Sequence, residues 1–187
     1  MRAILTALAL SVSCIAAPAS AVTASLTKDA GGAITGATGL SDGSGGVWDL
    51  SFADGDCAQL YSGCDADEDF PLDGDAAESV MEGLAALMNE TTASDYVSGC
   101  APSSGCNVFL PFEPRDTRRT KYWIALGAPG ITWETFSTDI LLGDTSRSDF
   151  DVFAIATAAA IVPLPAGALL LPSGLVAGAM VRRLSRV

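Results

Sequence analysis

Apolar positions in the middle of this 187-residue chain follow two different periods. Residues 75–90 place Val80, Leu84, Leu87 and Met88 on one face of a helix, with Asp75 as the predicted N-cap and a Glu three residues later as its capping-box partner. Alternating or β-branched and aromatic segments predict strands instead. These predicted strands are residues 47–52, 107–112, 121–126, 131–136 and 149–156.

One helix among about five strands predicts an α+β domain with a mainly antiparallel sheet. The alternative is a β-sandwich with an inserted helix. We place this domain at residues 47–157. The preceding segment, residues 22–46, is rich in Gly, Ser and Thr, which is typical of short β segments with turns or of a loose leader.

The first 21 residues have the pattern of a secretory signal peptide. Arg2 supplies a basic start, residues 3–12 are mostly apolar, and Ala19-Ser20-Ala21 matches an A-x-A cleavage site. The apolar run is shorter than the roughly 20 residues that span a bilayer, which disfavours a membrane anchor. A lipoprotein cleavage site at residues 10–14 is the weaker alternative. The sequence therefore predicts export by a Sec-type machinery.

The C-terminal residues predict a short membrane-spanning segment. Residues 152–181 carry no charge, and Arg182, Arg183 and Arg186 follow. Apolar residues followed by arginines predict a cytoplasmic end, with the rest of the chain across the membrane. Pro163 and Pro165 disfavour a helix before residue 166, which leaves about 24 Å of helix for a bilayer core of roughly 30 Å. An ordinary single-span anchor is the alternative.

These C-terminal residues carry a family resemblance. The motif Val162-Pro163-Leu164-Pro165-Ala166, the apolar stretch and the arginines Arg182 and Arg183 resemble a VPLPA-type sorting tail, a variant of the PEP-CTERM tails of Gram-negative bacteria. The resemblance covers residues 162–187 and implies processing by an exosortase at the inner membrane. It also implies a single-pass intermediate with a periplasmic domain, and then a location at the cell surface or outside the cell. Residues 45–110 more loosely resemble an uncharacterised exported protein of the same group, which implies no activity.

Charge and composition narrow the classes of function. The chain has 22 acidic residues, 10 basic residues and no histidine, for a formal net charge of −12 at pH 7. Without histidine there is no Ser-His-Asp or Cys-His nucleophile, no HExxH zinc site and no imidazole acid–base catalyst. The acidic surface between the two ends repels nucleic acid. We therefore expect a protein without catalytic activity or nucleic-acid partner.

Cysteine positions predict two disulfides. Cys14 lies in the predicted signal, and four cysteines in an exported domain allow three pairings. We favour the local pairs Cys57–Cys64 and Cys100–Cys106, because turn residues flank each short loop. A zinc site is the alternative, but the spacings do not fit one and no histidine is available.

Two ligand hypotheses remain for the domain. Asp65, Asp67 and Asp69 occupy positions 1, 3 and 5 of an EF-hand-like pattern, but Phe70 and Ala76 replace its glycine and its bidentate glutamate. The sequence thus leaves open two alternatives, an irregular Ca²⁺ site or a solvated acidic loop that favours the start of the helix.

The aromatic residues also allow two interpretations, a surface on which sugars stack or a place in the core, and we favour the core. The aromatic residues in question are Tyr122, Trp123 and Trp133.

Taken together, the sequence predicts an exported, exosortase-sorted surface or extracellular-matrix protein without catalytic activity. The alternative is an extracellular module that binds carbohydrate or Ca²⁺. No other cofactor is expected. The expected partners are the export machinery, an exosortase, the inner membrane through the C-terminal tail and, by the resemblance, extracellular polysaccharide.

Overall fold

The computed structural model describes residues 22–160, except 93–94, 103, 117–118, 129–130 and 141–143. The predicted signal peptide and the sorting tail lie outside the described residues. Residues Val22–Ala160 form one compact unit. Its elements are β1 (Ser25–Lys28), β2 (Ile34–Ser41), β3 (Val47–Ala53), α1 (Cys57–Leu60), α2 (Gly74–Asn89), β4 (Cys106–Asp116), β5 (Arg119–Ala128), β6 (Ile131–Ile140) and β7 (Asp151–Ala158), with single 3-10 turns at Asp67–Asp69 and Thr145–Arg147.

The described strands form a single seven-stranded sheet with the order β1-β2-β3-β7-β4-β5-β6. All neighbours are antiparallel except β4 and β7, which run parallel with Val108 opposite Val152 and Phe109 opposite Phe153. The predicted α+β class with a mainly antiparallel sheet is confirmed. The strands lie in one sheet and not in the two facing sheets of the alternative sandwich.

The Gly-rich segment before residue 47 contributes β1 and β2, so it belongs to the folded domain. The prediction of short β segments with turns is therefore confirmed, and the alternative of a loose leader is not. Gly39 has a φ of 74°, in the left-handed region that favours glycine. A side chain at Gly36 would overlap the carbonyl oxygen of Leu50 on the neighbouring strand. The glycines therefore allow close pairing of β2 with β3 at an irregular register.

Helix α2 begins one residue earlier than its predicted start at Asp75. Asp73 is the N-cap, because its extended backbone lets its side chain accept a hydrogen bond from the backbone N–H of Ala76 at 2.9 Å. The predicted cap at Asp75 with Glu78 was wrong, since Asp75 lies in the first turn. The apolar face is as predicted, except that Leu87 is only partly buried. The buried residues of the helix are Ala77, Val80, Met81, Leu84, Ala85 and Met88.

Both faces of the central strands are covered. Val152 and Ala154 of β7 point toward α2, and Phe153 between them points to the opposite face. We call the α2 side the helix-side core, to which the sheet contributes Ile34, Ala37, Leu40, Leu50, Val108, Leu110, Ala125, Trp133, Val152, Ala154 and Ala156. The loop-side core consists of Cys57, Tyr61, Cys64, Phe70, Phe109, Tyr122, Ile124 and Phe153.

The turn between β2 and β3 is organised by Asp42. Its Oδ1 accepts hydrogen bonds from the backbone N–H groups of Ser44 and Gly46 at 2.9 and 2.8 Å, and its Oδ2 accepts from Nε1 of Trp48 at 3.0 Å. These bonds, the one from Trp48 first, lower the pKa of Asp42 from its ordinary 3.8 to about 2. The ionised carboxylate therefore stabilises the hairpin.

Leu84→Ala should lower the free energy of unfolding by about 2 to 5 kcal/mol, because it opens a cavity in the helix-side core. Urea unfolding measures the loss. Glu82→Ala is the matched control on the exposed side of the same helix. Equal stabilities of the two variants would contradict the packing of α2 described above.

Asp42→Ala should lower the melting temperature at neutral pH, because four donors lose their acceptor: the backbone N–H groups of Ser44 and Gly46, the hydroxyl of Ser44 and Nε1 of Trp48. The folded-state pKa is below the ordinary value, so the stabilisation is fully present above pH 3.8 and is lost as the pH falls toward about 2. The melting temperatures of wild type and variant should therefore converge in that range. Glu68→Ala, which removes an exposed carboxylate, is the control; a pH-independent difference for Asp42→Ala would contradict this role.

Candidate functional site

Residues 54–73, which we call the acidic loop, connect β3 to α2 and cover the second face of the sheet. The loop contains the predicted Ca²⁺ ligands and one predicted disulfide. Asp56 begins α1 as its N-cap and accepts a hydrogen bond from the backbone N–H of Ala58 at 2.9 Å. Ser62 and Cys64 have φ values of 61° and 62°, so the chain reverses direction directly after α1.

Both predicted disulfides are confirmed. Cys57 and Cys64 are bonded with their Cα atoms 6.0 Å apart, and Cys100 and Cys106 with theirs 5.8 Å apart. The first bridge closes the acidic loop around α1, and its two cysteines are buried in the loop-side core. The second joins the segment after α2 to the start of β4 in the helix-side core. Each bridge therefore fastens a connecting segment to one face of the sheet.

Hydrogen bonds also fix the acidic loop to the sheet. The hydroxyl of Tyr61 donates to the backbone carbonyl of Ala154 on β7, and burial raises the pKa of Tyr61. The hydroxyl of Thr120 on β5 donates to the carbonyl of Cys64 at 3.2 Å. The ring of Phe70 lies 6.0 Å from that of Tyr61, centroid to centroid. These contacts make the loop part of the packed domain.

A further connection joins the start of the acidic loop to the 3-10 turn before β7. The N–H of Gly55 donates to Oγ1 of Thr145 at 3.0 Å, and the N–H of Thr145 donates to the carbonyl of Gly55 at 2.9 Å. The carboxyl groups of Asp54 and Asp144 flank this contact. Burial, and then the negative charge of Asp144, raise the pKa of Asp54, whereas bonds from Ser146 lower the pKa of Asp144.

The predicted Ca²⁺ ligands have different environments. Asp65 and Asp67 are exposed, whereas Oδ2 of Asp69 accepts hydrogen bonds from the backbone N–H groups of Asp65 and Ala66 at 3.1 and 3.2 Å. Among residues 22–160 as far as they are described, no group of three or more His, Cys, Asp or Glu is arranged to hold a metal ion. The Ca²⁺ site stays a prediction from the sequence, and the geometry favours a structural role for Asp69.

Of the three aromatic residues in question, Tyr122 and Trp133 belong to the core, as we favoured, and Trp123 packs against it. Tyr122 is 2% exposed in the loop-side core, and Trp133 is 7% exposed in the helix-side core. Trp123 is partly buried, and its Nε1 donates to the carbonyl of Gly74 at the start of α2 at 3.0 Å. Since the three rings lie on two different faces of the sheet, they do not form one sugar-stacking surface.

Basic side chains of the β4–β5 hairpin have acidic neighbours in the same sheet. Nε of Arg115 lies 3.0 Å from Oδ2 of Asp139, and Nζ of Lys121 lies 2.6 Å from Oε2 of Glu113. The first pair joins β4 to the far strand β6. Each of these basic side chains is therefore compensated by an acid of the same sheet.

Asn89, at the end of α2, has a contact that no sequence pattern predicts. Its Nδ2 donates to the carbonyl of Trp133 at 3.2 Å, and its Oδ1 accepts from the N–H of Trp133 at 2.7 Å. The side chain thus pairs with the backbone of β6 as a neighbouring strand would. In the sequence, Asn89-Glu90-Thr91 matches only a glycosylation acceptor. The contact joins residues 44 positions apart.

No protein family, curated protein or solved structure matches the chain. In the part of the chain that the structure describes, no helix has both the length and the apolar character needed to cross a membrane.

Removal of the first disulfide, by Cys57→Ala with Cys64→Ala, should lower the free energy of unfolding by about 2 to 3 kcal/mol. The reason is that the bridge closes a short loop whose residues cover Tyr122 and Phe153. Urea unfolding of the oxidised proteins measures the effect. Gln59→Ala is the control, because Gln59 lies within the same short loop but is exposed. Wild-type stability of the double variant would show that the bridge does not hold the loop in place.

Proposed function

We propose that this chain is an exported protein of the cell surface or extracellular matrix, whose folded domain has no catalytic activity and whose C-terminal tail is processed by an exosortase. In this proposal, residues 1–21 direct Sec-type export and are removed after Ala21. Residues 162–187 then hold the protein in the inner membrane with its domain in the periplasm until processing occurs.

The observation that carries the proposal is the pair of disulfides in the folded domain. Cys57–Cys64 and Cys100–Cys106 are intramolecular bonds of residues buried in the two cores. Structural disulfides of this kind persist in oxidising compartments and are rare in the cytosol. They are consistent with an exported compartment, the destination that the N-terminal pattern independently predicts.

The C-terminal tail supports the sorting part of the proposal. Its motif, Val162-Pro163-Leu164-Pro165-Ala166, precedes an apolar run too short to cross a bilayer comfortably, and Arg182 and Arg183 follow. In this proposal the prolines favour an extended backbone, which a protease can bind as a strand. The arginines retain the other end in the cytoplasm. Both features are compatible with processing by a membrane enzyme.

A structural role for the folded domain has support from the way its acids are used. Asp42, Asp56, Asp69 and Asp73 accept hydrogen bonds from backbone N–H groups at turns and helix starts. The chain also lacks histidine, the commonest general acid–base catalyst. We therefore propose a stable acidic domain that extends from the cell or joins its matrix, with extracellular polysaccharide as the surrounding partner.

For the second hypothesis, a module that binds carbohydrate or Ca²⁺, the described residues show no specific contact in its favour. The candidate stacking rings Tyr122 and Trp133 are buried, and Asp69 is engaged with the backbone. We do not include a ligand in the proposed function.

The proposal is tested by mass spectrometry of the protein from the medium and the membrane fraction of a producing bacterium. Wild type should lack residues 1–21 and should have lost its tail near residue 162. Pro163→Ala with Pro165→Ala, and Arg182→Ala with Arg183→Ala and Arg186→Ala, should both retain the tail and accumulate in the membrane fraction. The first removes the extended motif and the second removes the cytoplasmic charges.

Two matched controls separate the motif from a general effect on the tail. Pro172→Ala changes a proline outside the motif, and Ser185→Ala changes a residue among the arginines; both should be processed as wild type. If the motif and arginine variants were also processed and localised normally, the sorting proposal would be wrong. If the protein were exported but its tail were not processed, the export part of the proposal would stand and the exosortase part would be wrong.

A further inference from the structure

The two edges of the sheet differ in their protection. β1 has four residues and ends at Lys28, whose Nζ is paired with Asp95 at 2.5 Å. Short edge strands and lysines are common ways to prevent pairing with another chain. β6 has ten residues, Ile131–Ile140, and contains neither lysine nor proline. Among the described residues, only β5 forms a ladder with β6.

Asn89 covers the outer edge of β6 at one position only. It bonds both the N–H and the carbonyl of Trp133, so the backbone of Trp133 points away from β5. Because backbone groups repeat their direction every second residue of a strand, those of Thr135, Ser137 and Asp139 also point outward. The described residues provide no backbone partner for these three. An open run of donors and acceptors therefore begins directly after the position that Asn89 covers.

Exposed apolar side chains accompany this open run. Phe136 lies at its centre and is 43% exposed, and its neighbour across the ladder, Ile124, belongs to the loop-side core. Leu126 on β5 is also 43% exposed, and Ile131 at the start of β6 is 65% exposed. An apolar ring beside unpaired backbone groups favours association with another strand.

We propose that β6 pairs with β6 of a second copy of this chain, antiparallel and with the two-fold axis at Phe136. In a two-fold interface, residue i of one copy lies opposite residue j of the other, and j lies opposite i, so that only the residue on the axis faces its own symmetry mate. Phe136 then faces Phe136 of the other copy in a non-hydrogen-bonded pair, where side chains are closest. Thr135 and Ser137 of the two copies exchange the backbone hydrogen bonds. Two seven-stranded sheets become one continuous sheet.

Charge selects a second copy and this register. Glu134 meets Thr138 of the other copy, so the two acids nearest the axis do not face each other. The other acid of the strand, Asp139, has Arg115 of its own chain 3.0 Å away. With Asp139 paired, Glu134 is the acid that keeps its charge on this strand, so like-charge repulsion between two copies at this edge is much smaller than the formal charge of −12 suggests. Pairing ends where Asn89 already occupies Trp133, which confines the new ladder to residues 134–138.

A cysteine cross-link tests both the partner and the register. The full chain is produced with Cys14→Ser, to leave no unpaired native cysteine, and is purified without reductant. Phe136→Cys should form a covalent dimer on mild oxidation, since the two residues meet at the axis. Glu134→Cys is the matched control on the same strand and should not, because it faces Thr138. Adding Thr138→Cys to Glu134→Cys should restore the cross-link.

Sedimentation equilibrium of the uncross-linked full chain supplies the second measurement. Wild type should have twice the mass of one chain at high concentration, and Phe136→Lys should have the mass of one chain. Because Phe136 is partly exposed, the melting temperature of the unassociated domain should stay near that of wild type, which separates lost association from lost folding. A wild-type monomer at all concentrations, a dimer that persists in Phe136→Lys, or equal cross-linking of Phe136→Cys and Glu134→Cys would each overturn the proposal.

Discussion

Strand β7 joins two parts of the sheet that share no ladder with each other. The three N-terminal strands reach it through β3, in antiparallel pairing, and the β4–β5–β6 meander reaches it through β4, in parallel pairing. Because β7 is central and covered on both faces, it needs apolar residues at successive positions and not only at alternate ones. Val152, Phe153 and Ala154 meet this need, and all three are completely buried.

Both coverings of the sheet depend on the same strand. Val152 and Ala154 contact the core beneath α2, and Phe153 contacts the core beneath the acidic loop. The carbonyl of Ala154 also accepts the hydrogen bond from Tyr61 of that loop. The disulfide within the loop therefore acts on a segment that is already attached to the centre of the sheet. The disulfides of such a domain are consistent with an oxidising, exported compartment.

The acidity of the chain has a structural use. Turns and helix starts leave backbone N–H groups without partners, and a short carboxylate side chain can accept from them. Asp42, Asp56 and Asp73 each do so at the start of a turn or helix. The capping role of such acids was predictable from the sequence. The prediction for α2, however, named Asp75 as the N-cap, whereas the structure shows Asp73. Local patterns locate a boundary only approximately, since neighbouring acids are chemically equivalent until the chain is folded.

Features that depend on neighbouring residues were predictable from the sequence alone. Hydrophobic periodicity predicted α2 and five strands, and close spacing predicted both disulfides, because each of these properties is local. Tertiary structure decided the rest. The parallel pairing of β4 with β7, the contact of Gly55 with Thr145 and the cover that Asn89 gives to β6 join residues 44 to 90 positions apart. Such contacts depend on which apolar faces pack together. Both faces of the sheet are buried by residues far apart in the sequence, so local patterns do not specify this packing.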